Sequence, residues 1–307
     1  MLTQRKEMPM TFDQLTFDNP AERFADIRPQ KQSQPFPGSA EDLTPRADHG
    51  ESSYRGTGRL VGRRALITGG DSGIGAAVAI AFAREGADVA INFLPAEQED
   101  AENVARHVRE AGRKAVLLPG DVRDEAFCRQ LVRDAIDGLG GLDILVNNAG
   151  HQIYSRKLED IDPAEFDKTI KTNLYAMFWI TQEALPHLPA GSTIINTTSV
   201  QAYKPSPVIV DYAATKAAIN GWTKGLANQL AERGIRVNAV APGPIWTPLQ
   251  VTEGQPPEKL EEFGENTALG RMGQPVELAP AYVFLASPES SYVIGETINV
   301  NGGLPVP

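Results

Sequence analysis

The chain has 307 residues, 41% of them hydrophobic, enough apolar surface for one large core; disorder over its whole length is excluded. With 39 acidic and 29 basic side chains the net charge is −10, which argues against an electrostatic grip on nucleic acid or an anionic membrane. The single cysteine, Cys128, excludes an intrachain disulfide and a cysteine-based zinc site. His49, His107, His151 and His187 are scattered, so no metal is expected. The longest apolar stretch, Ala76–Ala83, is far short of a bilayer span, and the opening MLTQRKEMPM lacks the apolar core of a signal peptide. The expectation is a cytoplasmic protein without a membrane partner.

In chain order, residues 1–58 show no sustained helical or strand period and hold 6 of the 23 prolines. Phe12, Phe17, Phe24, Phe36 and Tyr54 are spaced along them, more aromatic surface than a solvated tail carries. This reads as a mostly irregular arm lying on the body or on a neighbouring subunit; the alternative is a floppy extension. From Arg59 onward short apolar strands alternate with helices. Strands are expected at Ala65–Thr68, Asp88–Phe93, Ala115–Leu118, Asp143–Val146, Thr193–Thr197, Arg236–Ala241 and Thr297–Val300. Helices are expected at Gly75–Glu85, Ala96–Ala111, Glu125–Leu139, Pro163–Leu185, Tyr212–Arg233 and Val276–Ala286. Near-continuously apolar strands with short links to helices predict a seven-stranded parallel sheet covered on both faces. The fold class is α/β, a single doubly wound domain over 59–307.

Directly after the first strand and before the first helix, residues 68–75 read TGGDSGIG, with Gly69, Gly73 and Gly75 spaced T-G-x-x-x-G-x-G. Glycines there let the backbone turn tightly and bring N–H groups, with the helix N-terminus, against a pyrophosphate. Asp71, Ser72 and Ile74 fill the rest of that loop. Asp121 and Val122 follow the third strand, where a carboxylate can accept from an adenine amino group; alternatively Asp121 caps the helix beginning near Asp124. Asn148, Ala149 and Gly150 end the fourth strand, where the sheet order reverses and a crevice opens; the alternative is plain turn chemistry.

Tyr212 and Lys216 stand i, i+4 on one face of a long helix. Ser199 ends the fifth strand, and Asn173 lies inside the preceding helix, where asparagine is a poor former and wants a reason. Taken singly these are a packing tyrosine, a snorkelling lysine, a turn serine and a helix irregularity. Together with the glycine loop they point to chemistry.

The motifs TGGDSGIG (68–75), NNAG (147–150), Asn173, Ser199, YAATK (212–216) and PGPIWTP (242–248) resemble those of a short-chain dehydrogenase/reductase of the classical type, over roughly Arg59 to the C-terminus. The arm further resembles a bacterial branch with N-terminal extensions. The resemblance implies an enzyme: an NAD(P)-dependent oxidoreductase interconverting carbonyl and alcohol. Tyr212 is then the general acid/base, Lys216 favours its phenolate and holds the nicotinamide ribose, Ser199 fixes the substrate oxygen, and Asn173 holds a relay water. Pro242, Gly243, Ile245 and Thr247 join the cofactor contacts. The second strand ends in Asn92-Phe93-Leu94-Pro95, neither the acid that reads a ribose hydroxyl nor the base that reads a 2′-phosphate. With no Lys or Arg in the glycine loop, the reading favours NAD over NADP. Residues 245–272, rich in Pro, Gly and Glu, read as a mobile lid admitting a small neutral aldehyde, ketone or alcohol. Gln152, Ile153, Gln201 and Tyr203 are expected to flank the cleft, each either touching substrate or solvated. The family also implies a homo-oligomer, usually a tetramer. Two other classes compete: a non-catalytic dinucleotide-binding sensor or scaffold, and an epimerase or dehydratase using the same pocket. Cys128 is expected to be an inert packing residue.

Overall fold

Period-2 side-chain alternation divides each strand of this protein between two cores. The computed structural model describes residues 12–306. Its elements in chain order are β1 (Arg64–Thr68), α1 (Gly73–Arg84), β2 (Asp88–Phe93), α2 (Gln98–Glu110), β3 (Ala115–Pro119), α3 (Glu125–Leu139) and β4 (Ile144–Asn147). There follow α4 (Pro163–Ile170), a π turn at Lys171–Tyr175, α5 (Ala176–Ala184), β5 (Thr193–Thr197), α6 (Val210–Leu230), β6 (Arg236–Pro242), α7 (Pro275–Ala286) and β7 (Thr297–Val300). The seven strands form one sheet, all parallel, in the order β3-β2-β1-β4-β5-β6-β7. The doubly wound reading therefore holds. In β1, Ala65 and Ile67 enter the core beneath α1, α2 and α7, whereas Leu66 enters the core beneath α3, α5 and α6. The β4 side chains Ile144 and Val146 divide from Leu145 in the same way. Such strands must be apolar at every position.

The helix α1 is apolar all round because it is covered all round: Ala76–Ala83 are fully buried against the sheet and α7. The helix expected over Pro163–Leu185 is instead broken by the π turn that carries Asn173. The break gives a physical reason for asparagine at that point, since a π turn widens the helix and redirects one side chain. The fourth strand begins one residue later than expected. Asp143 instead uses its carboxylate on Arg64, from whose Nε it accepts at 2.8 Å.

Residues 12–58 run along their own body. Buried Glu85, at the end of α1, accepts hydrogen bonds from the Tyr54 hydroxyl (2.7 Å), the Thr57 and Arg59 backbone N–H groups and the Arg59 guanidinium (2.7 Å). Further along, Trp246 Nε1 donates to the Pro45 carbonyl at 2.7 Å, and the Val276 N–H donates to that of Asp48. Leu43 and Ala47 pack with Trp246, Val251, Leu260 and Met272 in a third, smaller core. The segment read as a lid is thus pinned from outside by the arm. Residues 1–11 of the expected arm lie outside the described residues.

Candidate active site

Because the strand order reverses between β1 and β4, the connections leaving the carboxyl ends of these neighbouring strands run to opposite faces of the sheet and open a crevice. The cleft at that point has a volume of about 1260 Å³ and is open to solvent. The glycine loop lies at its floor. Gly69 and Gly73 take φ of 60° and 51°, and a Cβ on Gly75 would stand 1.8 Å from the Gly69 carbonyl oxygen, so the loop folds onto α1 only with glycine there. Ser72 precedes α1 without capping it through its side chain, which leaves the first-turn N–H groups facing the cleft.

Of the residues singled out in the sequence, Gly69, Asp71, Ser72, Gly73, Ile74, Asp121, Val122, Asn148, Ala149, Gly150, Ser199, Tyr212, Lys216, Pro242, Gly243, Ile245 and Thr247 line this one cleft. Gly75 and Asn173 do not; both act from behind its wall. Gly75 makes the close approach just described. Asn173 clamps the chain after β4 to α6: its Oδ1 accepts from the His151 N–H at 2.7 Å, and its Nδ2 donates to the His151 carbonyl and to Thr215 Oγ1, both at 3.0 Å. Asn148 braces the loop, donating to the Thr68 and Gly69 carbonyls at 3.1 and 3.0 Å. The helix-capping alternative for Asp121 fails, since Asp124 caps α3 through the Phe127 N–H. Asp121 is held by Arg123, and although burial pushes its pKa up, the Arg123 hydrogen bonds outweigh burial and lower it.

At the far end of the cleft, Ser199, Tyr212 and Lys216 meet. Lys216 Nζ lies 5.3 Å from the Tyr212 ring centre and donates to the Thr197 carbonyl at 2.8 Å. Ser199 Oγ accepts from the Gln201 N–H at 3.1 Å, which leaves its proton free to donate. Burial raises Tyr212 to about 12, with the hydrogen bond of Ser199 pulling the other way, and burial lowers Lys216 to about 8. In the pocket by itself, burial keeps Tyr212 a neutral phenol.

Several cleft residues escaped the sequence reading. Phe36 and Pro37 come from the arm, His151, Lys168 and Thr172 from around α4, and Glu97 from the turn after β2. Glu97 carried a signal, four residues past an uninformative strand end. Phe36 carried none, because nothing local says where an irregular arm crosses. Conversely Gln152 is buried and donates to the Gly254 carbonyl, outside the cleft lining. Cys128 is buried, donates to the Val122 carbonyl at 3.0 Å and is pushed up to about 12 by burial, the profile of an inert packing thiol. Among the described residues no helix is long and apolar enough to cross a membrane, and no group of three or more His, Cys, Asp or Glu is placed to hold a metal ion.

Comparison with known proteins agrees with this geometry. A family model described as enoyl-(acyl carrier protein) reductase matches residues 69–305. The chain is 58% identical over 273 residues to the uncharacterized oxidoreductase YghA of Escherichia coli, covering 89% of this chain and 93% of that one. It is 43% identical to the NADPH-dependent aldehyde reductase 1, chloroplastic, of Arabidopsis thaliana, covering 87% and 94%. A short-chain dehydrogenase from Burkholderia cenocepacia, solved in complex with NADP, superposes with a TM-score of 0.75 at 36% identity, covering 80% of this chain and 98% of that one. The chain belongs to the short-chain dehydrogenase/reductase family and is an NAD(P)-dependent oxidoreductase acting on CH–OH groups.

Proposed function

We propose that the protein interconverts a small neutral aldehyde or ketone and its alcohol, with Tyr212 as the proton donor and acceptor. The observation that carries this is the meeting of Tyr212, Ser199 and Lys216 at one end of a cleft whose floor is the glycine loop. That cleft fits a dinucleotide: Gly75 leaves no room for a Cβ, the α1 N-terminus is uncapped, and buried Asp71 Oδ2 has no partner. The loop 69–75 and Asn148–Gly150 are suited to the pyrophosphate, Asp121 and Val122 to the adenine, and Lys216, Pro242, Gly243, Ile245 and Thr247 to the nicotinamide half. When bound, the nicotinamide supplies or accepts the hydride. In reduction Ser199 donates a hydrogen bond to the carbonyl oxygen, and the neutral Tyr212 phenol gives that oxygen its proton. Lys216, buried beside the ring, stabilises the phenolate that results. Asn173 fixes the backbone at His151 and can present it to a relay water. Residues 245–272 form the substrate lid, with residues 12–58 of the arm holding it against the body (59–307).

For the cofactor, the carboxyl groups support NAD over NADP. Asp71 and Glu97 both line the cleft near the end of β2, and burial raises the pKa of each, the neighbouring Asp71 adding to the rise of Glu97. Asp71 Oδ2, without a partner, is placed to accept from a ribose hydroxyl, and neither carboxyl group offers the positive charge that a 2′-phosphate calls for. The second reading, NADP, rests on the NADPH in the Arabidopsis relative's name and the NADP in the Burkholderia structure. A small neutral substrate, a cytoplasmic setting and a homotetramer complete the proposal. The test is turnover of a carbonyl panel with NADH and NADPH beside Tyr212→Phe. Loss of at least about a thousandfold in kcat with cofactor binding retained supports the assignment. Equal turnover by the variant overturns it.

A further inference from the structure

The arm contributes more than a clamp on the lid. Residues 34–40 cross the cleft and are fastened on both sides. On one side the Gln34 N–H donates to the Val251 carbonyl at 3.0 Å, and Gly38, at φ 89°, seats so closely that a Cβ would stand 2.7 Å from Thr252 Cγ2. On the other side the Ala40 N–H donates to Asp100 Oδ2 of α2 at 2.7 Å. Between these anchors Phe36 projects into the cleft lining. It is 46% exposed, the one large apolar side chain of the lining that is exposed. Its ring meets the edge of His151 at 5.4 Å between centres, and Lys168 Nζ stands 4.1 Å from its centre. Lys168, Asp121 and Val122 line the same cleft as the ring.

We propose that Phe36 is a cofactor contact supplied by the arm, its ring packing against the adenine of the dinucleotide. The proposal rests on the dinucleotide reading of the cleft and deepens it. An exposed aromatic ring in a concave site is a loss until something flat and apolar covers it, and a purine is both. The contact falls outside residues 69–305, so the family domain alone does not provide it. Base–aromatic stacking carries no sequence-specific polar demand, which suits a ring reaching in from an irregular segment.

The test measures dissociation constants by equilibrium titration for the full chain and for Phe36→Ala, Phe36→Leu and Phe36→Tyr. Three probes are used: NADH, AMP and reduced nicotinamide mononucleotide, which lacks the adenosine. Phe36→Ala is expected to weaken NADH and AMP by about tenfold and to leave the mononucleotide unchanged. Phe36→Leu keeps apolar bulk without a π face and stays weak, whereas Phe36→Tyr restores binding to within about twofold. Binding of NADH by Phe36→Ala and Phe36→Leu as tight as by the wild type overturns the contact and leaves the dinucleotide reading standing. An equal loss for the mononucleotide also overturns it, because the arm would then act on the whole cleft and not on the adenine. A wild-type chain that binds none of the three probes overturns both.

Discussion

Lys216 is a buried amine whose Nζ donates to the Thr197 carbonyl. Burial lowers it from 10.5 to about 8, so its charge costs stability at neutral pH. The sign follows from proton counts. Between about 8 and 10.5 the unfolded chain holds the proton that the folded chain has released, so wild-type stability rises with pH across that window. Lys216→Met removes the penalty and one hydrogen bond. The variant is expected to be more stable at neutral pH by about 1–2 kcal/mol, with the gap closing as pH rises through the window, while turnover is lost. Chemical denaturation at several pH values checks it; a less stable variant would show that the lysine is held by favourable interactions. Residue types and spacing made Tyr212, Lys216 and Ser199 legible in the sequence. The protonation state of the phenol was not, because it depends on burial that only the packed helix and strands create.

Elements explain what residues cannot. The end of α1 presents Glu85 to the arm, and burial, which pushes its pKa up, is outweighed by the hydrogen bonds of Arg59, Tyr54 and Thr57, leaving it at about 2. Its contribution is complete above the ordinary carboxylate value of 4.5 and is lost as pH falls toward about 2. Glu85→Gln should cost about 2 kcal/mol near neutrality, and the wild-type advantage should shrink only below about pH 4.5. An advantage constant to the acid limit would remove the ionised carboxylate from the account. On the opposite layer, the end of the π turn and α5 show Tyr175 and Phe178 to solvent, 49% and 39% exposed, beside Trp179 and Trp222. A covered interface between subunits suits that aromatic face. Phe178→Glu is expected to at least halve the mass measured by light scattering; an unchanged mass, or a monomeric wild type, contradicts the tetramer. Strand positions were readable because buried parallel strands are apolar throughout. The π turn was not, since its residues KTNLY have the same period as the helix around it.

At the scale of the molecule, one reversal of strand order brings the glycine loop and the group of Ser199, Tyr212 and Lys216 into a single cleft. A seven-stranded parallel, doubly wound sheet follows from strand–helix alternation and right-handed crossovers, so that much of the architecture was legible from pattern alone, whereas the order β3-β2-β1-β4-β5-β6-β7 came from the structure. The arm's path was not. Its position depends on long-range partners such as Glu85, Asp100, Val251 and Trp246, and no local period encodes contacts of that kind. Glu97 likewise joins the cofactor end only because the turn after β2 folds back beside Asp71. The most direct measurement follows nicotinamide absorbance while the purified full chain, preloaded with NADH, is mixed with a series of small aldehydes and ketones, with Tyr212→Phe in parallel. The account predicts oxidation of the bound NADH by the wild type, faster than with NADPH, and none by the variant although it binds NADH as tightly. Tight binding without oxidation by any carbonyl, or equal oxidation by the variant, would contradict it.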